Sequence, residues 1–153
     1  MFFKKKQKAE LSPEEKLKQL QEQFELTRNQ TGAIKKITTG IAAVMSIFHL
    51  WSSGVYMLPQ PQHKAIHLAL ALVLTFLVFP LNPSQKNKFP WYDGLLALLS
   101  AAGGAYIVIF YWELIYRAGS PITMDIVMGA VTLFLVFEAT RRTMGWPLVV
   151  VGL

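Results

Sequence analysis

Four long apolar runs decide what this chain can fold into. The first covers residues 37–58, with no formal charge and one histidine, His49. The second covers 65–81, the third 91–116 (uncharged from Gly94 to Trp112) and the fourth 122–139. A helix rises 1.5 Å per residue, so about 20 apolar residues cross a hydrocarbon core of roughly 30 Å. The first and third runs meet that length readily. The second is shorter, and Lys64 beside it can extend its charged head toward the headgroups. The fourth has the shortest uncharged centre, residues 126–137, a length that a re-entrant segment also has. It reads as a span because Asp125 and Glu138 sit near its two ends, where charge is tolerated.

Each run is apolar around the whole helix rather than along one stripe. None shows the alternation of a membrane β-barrel. The sequence therefore predicts an all-α integral membrane protein with four antiparallel transmembrane helices. The loops at 58–64, 81–90 and 116–121 are short and punctuated by Pro, Asn, Gly and Ser, which makes successive helices antiparallel neighbours.

Composition agrees. Hydrophobic residues make up 53% and charged residues 16%, against about 25% charged in an ordinary soluble domain. That balance excludes a soluble enzyme and a disordered tail. No cysteine is present, which removes disulfides, thiolate nucleophiles and cysteine-ligated metals.

The net charge is +6, and its placement is informative. With the amino terminus in the cytoplasm, every lysine and arginine except Lys64 and Arg117 falls on the cytoplasmic side. That is a strong positive-inside asymmetry. Trp91, Tyr92, Tyr111, Trp112 and Tyr116 lie at the two ends of the third run, as an aromatic belt does. Bilayer topology thus accounts for the basic balance. No nucleic-acid motif is present, and nucleic acid is not an expected partner.

Residues 1–36 are a different material, a charged arm. Ser12, Pro13 and Glu15 have the order of a capped helix start, and Leu17, Leu20 and Phe24 follow at helical spacing. The arm reads as an amphipathic helix ending near residues 29–32. It is either solvated in the cytoplasm, laid in the membrane interface or docked on a partner. Because the apolar region begins only at Ile37, the arm does not resemble a cleaved secretory signal.

Few residues suggest chemistry. His49 lies within a span, and hydrogen bonding to a neighbouring helix is favoured over a proton relay because no carboxylate lies at its depth. His63 and His67, four apart, share a face if their helix starts early enough, and no third ligand is close in sequence. Glu113, Arg117 and Asp125 map to the outer boundary as an ion-pair cluster or a partner contact. Glu138, Arg141 and Arg142 form the matching inner group. Ser100, Gly103 and Gly104, in a run of six small residues, point to a close helix–helix contact within the chain or with a partner. No arrangement activates a nucleophile or a water, so no enzyme activity, cofactor or metal is expected. The segment 141–153 is apolar beyond Arg142 and too short to span, which reads as the start of a connection to a further membrane domain.

Four local patterns carry a resemblance. They are Ile66-His67-Leu68 opening the second helix and Trp91-Tyr92-Asp93 opening the third. Arg117-Ala118-Gly119-Ser120-Pro121 precedes the fourth, and Glu138-Ala139-Thr140-Arg141-Arg142-Thr143 with Gly145-Trp146 follows it. Over residues 34–153 the chain resembles the amino-terminal part of the fused membrane permeases of tripartite ATP-independent periplasmic (TRAP) transporters, of the TAXI type. The resemblance implies a small membrane domain that scaffolds a large transport domain, with a periplasmic solute-binding protein as third component, in ion-coupled uptake of organic acids. It implies the inner (cell) membrane of a bacterium or archaeon. A fused permease continues well past residue 153, so a separate small subunit or a fragment is expected. The competing expectation is a free-standing four-helix protein acting as a homo-oligomer, as a pore or in a stress response.

Overall fold

The computed structural model describes residues 27–81 and 89–152, together with Glu14 and Leu17. The described chain is helical, without strands among the described residues. The helices are α1 (Gly32–Gly54), α2 (Gln60–Val78), α3 (Trp91–Ile109), α4 (Tyr111–Tyr116), α5 (Thr123–Met144) and α6 (Trp146–Gly152). Of these, α1, α2, α3 and α5 are long and apolar enough to cross a membrane. The protein is a multi-pass membrane protein. The 19 residues each of α2 and α3 give about 28 Å of helix, close to the hydrocarbon thickness.

Helix α3 is the centre of the bundle. It packs along α2 on one side and α5 on the other, while α1 packs on α2. The α2–α3 pair is antiparallel: Ala65 and Ala69 meet Gly104 near one end, and Leu72 and Phe76 share a core with Ala97 nearer the other. Leu135 and Ala139 of α5 close that core. Helix α1 remains the outlying element. Val44, Ile47 and Leu50 on it are largely exposed, as residues facing lipid are.

Four boundaries differ from the sequence reading. Helix α2 begins at Gln60, inside the stretch read as a loop, because Pro61 is accommodated in the first turn, where a missing N–H costs nothing. The third run is not one helix, since the chain bends at Phe110. There the Gln62 side-chain amide donates to the Val108 carbonyl at 3.2 Å, an insertion of the kind that bends a helical ladder. Helix α5 continues to Met144, beyond the expected end at residue 139, because Arg141 and Arg142 both bond Glu138 one turn back in the same helix.

The division at residue 36 falls inside α1, so Lys35 and Lys36 belong to the first helix. After α5 the chain turns at Gly145, whose φ of 81° is a left-handed conformation that glycine adopts freely. Helix α6 then folds back, burying Val149 and bringing Gly152 beside Phe137 of α5. The expected arm helix lies mostly outside the described residues. Glu14 and Leu17 within it are helical and exposed.

Candidate functional site

The most deeply buried polar groups gather at one end of the bundle. Asp93, in the first turn of α3, has no exposed surface. One of its oxygens pairs with Arg28, from the segment before α1, and the other with Arg142 of α5 at 2.7 Å. Both guanidinium side chains are almost fully buried. Glu138 extends the network, accepting from Arg142 Nε at 2.8 Å and from Arg141 through two bonds of 2.8 Å.

Local backbone dipoles explain why charge collects here. The last carbonyls of a helix have no intrahelical donor and carry partial negative charge. At the end of α2, Arg28 donates from its backbone N–H to Val78 at 2.7 Å and from its side chain to Leu77 at 3.3 Å. Arg142 donates to Phe79 at 3.2 Å. The start of α3, with its unpaired N–H groups, favours the Asp93 carboxylate. Arg142 also lies over the Phe76 ring, Arg28 over Phe89 and Arg141 over Trp146. One carboxylate thus ties the pre-α1 segment, α2, α3 and α5 to a single point.

A second cluster occupies the opposite end. Arg117 joins Glu113 at 3.1 Å and Asp125 at 3.0 Å. Asp125 also accepts from the Tyr106 hydroxyl and from the Ile122 backbone N–H, the latter at 3.1 Å, so it caps α5 while holding it to α3 and α4. This cluster is more exposed than the first. Glu113 is 61% exposed, and Asp125 only 9%.

Between the two ends, the small residues make close packing. A Cβ on Gly104 would lie 2.3 Å from that of Ala69 in α2, and one on Gly103 would lie 2.8 Å from Thr132 Oγ1 in α5. Ser100, also buried, returns its hydroxyl to the Leu96 carbonyl. The patch therefore seats α3 against two helices of its own chain. Open apolar grooves of about 330 Å³ and 410 Å³ flank it, between α2 and α3 and between α3 and α5.

Sequence spacing alone missed two features. Arg28 and Asp93 were not singled out as a pair, because 65 residues separate them and nothing local links them. An aspartate opening an apolar run is the one available signal. His63 and His67 do have a third histidine near them. His49 Nε2 and His67 Nδ1 share a 2.9 Å hydrogen bond, and the His63 ring centroid lies 5.4 Å from that of His49. The expected bond from His49 to a neighbouring helix is present. Among the described residues no group of three histidine or acidic side chains is arranged to hold a metal ion.

In both end clusters each carboxylate meets guanidinium groups, which stay charged at any physiological pH, so the clusters join helices through ion pairs. Compared with protein-family models, curated proteins and solved structures, the chain matches none.

Proposed function

We propose that this chain is a membrane scaffold: the small domain of a TRAP-type secondary transporter, holding a large transport domain in place. In this reading it serves ion-coupled uptake of organic acids delivered by a periplasmic solute-binding protein. It lies in the inner membrane of a bacterium or archaeon, with the amino terminus in the cytoplasm. The observation that supports the reading is where the polar groups lie. The ion-paired charges gather in locks at the two ends of the bundle, and the middle of α2, α3 and α5 is apolar packing. A transporter core needs a polar site near the midplane, commonly at broken helices. A body fixed at both ends and apolar between them suits the stationary part of such a machine. The sequence resemblance supplies the transporter class, the substrate class and the partners.

The test is purification in mild detergent through an amino-terminal tag from the native host, with intact masses of all chains. The proposal expects either a tagged chain far heavier than 17.2 kDa or a tightly held multi-span partner. A tagged chain of about that mass, alone or bound only to copies of itself, overturns it in favour of a homo-oligomer.

A further inference from the structure

The groove between α3 and α5, about 410 Å³ in volume, is walled by apolar side chains that include Leu68, Leu114, Met128, Leu133 and Val136. Its hollow has a local cause. Gly129 lines it without a side chain, and a Cβ built there would meet no atom within 4 Å. Inside a bilayer no water fills such a space, and walls without neighbouring atoms lose dispersion contacts. An acyl chain is the apolar material at hand. One end of the groove is charged. Tyr106 and Asp125 line that end, and Asp125 is bonded to Arg117. Asp125 is already filled, since it accepts from Tyr106, Arg117 and the Ile122 N–H. Its two neighbours have capacity left. Arg117 uses each terminal nitrogen once, to Glu113 and to Asp125, although each carries two N–H groups. Glu113 engages Arg117 through Oε2 and is mostly exposed, so Oε1 is an open acceptor.

We infer that this groove binds one phospholipid of the phosphatidylethanolamine class. An acyl chain lies along α5 over Gly129, the phosphate accepts from Arg117, and the primary ammonium donates to Glu113. The charges of this end select that headgroup. Lys64, exposed on the first turns of α2, lies one helical turn from Leu68 on the same face. With Arg117, Glu113 and Asp125 it makes a set whose charges sum to zero, which a zwitterion matches. An anionic glycerol headgroup offers Glu113 no cation. A choline headgroup is zwitterionic, but its quaternary nitrogen has no N–H to donate. The second groove, about 330 Å³ between α2 and α3, is lined by apolar residues alone. It accepts an acyl chain without choosing a headgroup.

The experiment is native mass spectrometry of the delipidated protein in detergent, titrated with phosphatidylethanolamine, phosphatidylglycerol and phosphatidylcholine of identical acyl chains. One phosphatidylethanolamine is expected to be held about fivefold more tightly than either of the others, the size of one exposed charge pair. Glu113→Gln should remove that preference. Gly129→Leu, whose side chain enters the open space of the groove, should abolish the retained lipid. Ala130→Leu, exposed on the same helix but outside the groove wall, should keep it. Equal retention of the three lipids, as annular lipid gives, overturns the inference, and so does retention unchanged by Gly129→Leu. Should that variant fail to fold, phosphatidylethanolamine with a photoreactive group in its acyl chain decides on the parent protein. Adducts at Met128 and Leu133 support the site, and adducts spread evenly over α1, α2 and α5 overturn it.

Discussion

Replacing Asp93 by asparagine tests the buried lock most sharply. The change preserves shape and removes one negative charge. Asp93 is the shared partner of two guanidinium groups whose side chains are 2% and 1% exposed. Removing one member of a buried ion pair typically costs 3–5 kcal/mol, because the remaining charge stays buried without compensation. Arg142 retains Glu138 and the Phe79 carbonyl, which limits its share of the loss. The Arg28 side chain keeps the Leu77 carbonyl and the face of the Phe89 ring, and among the described residues its Nε already has no hydrogen-bond partner. A cost of about 3–4 kcal/mol is therefore expected for Asp93→Asn, most of it at Arg28. The assay is reversible unfolding in mixed micelles by added denaturing detergent, followed by helical circular dichroism and tryptophan fluorescence. A double-mutant cycle with Arg28→Gln should show coupling, the double variant losing much less than the sum of the singles. A change below about 1 kcal/mol for Asp93→Asn, or strict additivity with Arg28→Gln, would refute the assignment of Asp93 as the tie between these helices.

Gly104→Ala drives a methyl to 2.3 Å from the Ala69 Cβ and should cost about 1–3 kcal/mol in the same titration. Adding Ala69→Gly should recover most of it. Arg117→Ala should cost less than Asp93→Asn, about 1 kcal/mol, since Arg117 is partly exposed and Asp125 keeps Tyr106 and the Ile122 N–H; high salt should narrow the difference between variant and parent. Phe76→Ala removes a fully buried ring that also carries Arg142 on its face. A loss of about 2–4 kcal/mol is expected, through the cavity and the lost cation–π contact rather than through hydration, because lipid is as apolar as the core.

The four spans could be read from the chain because membrane thickness imposes a length that few other structures need. Helix ends were harder. Residues 58–64 look like a loop by composition, yet proline is harmless in the first turn, so α2 starts within them. The bend at Phe110 was invisible because its cause is Gln62, a residue on another helix. Glu138, Arg141 and Arg142 lie within one helical turn, a relation that any helical reading exposes. Arg28 with Asp93, and His49 with His67, meet only through tertiary packing. Their chemistry was in plain view, but their partners were not.

A four-span domain with a cytoplasmic amino terminus places the Asp93 cluster on the inner side of the membrane and the Arg117 cluster on the outer side. Single cysteines at Gln30, beside Arg28, and at Ser120, beside Arg117, mark the two ends. Labelling of intact cells made permeable only at the outer envelope, with a charged maleimide that cannot cross the bilayer, reads the orientation. The predicted result is rapid labelling at Ser120→Cys, and labelling at Gln30→Cys only after the inner membrane is opened. The reverse pattern, or equal labelling of both in sealed cells, would contradict a four-span domain with a cytoplasmic amino terminus.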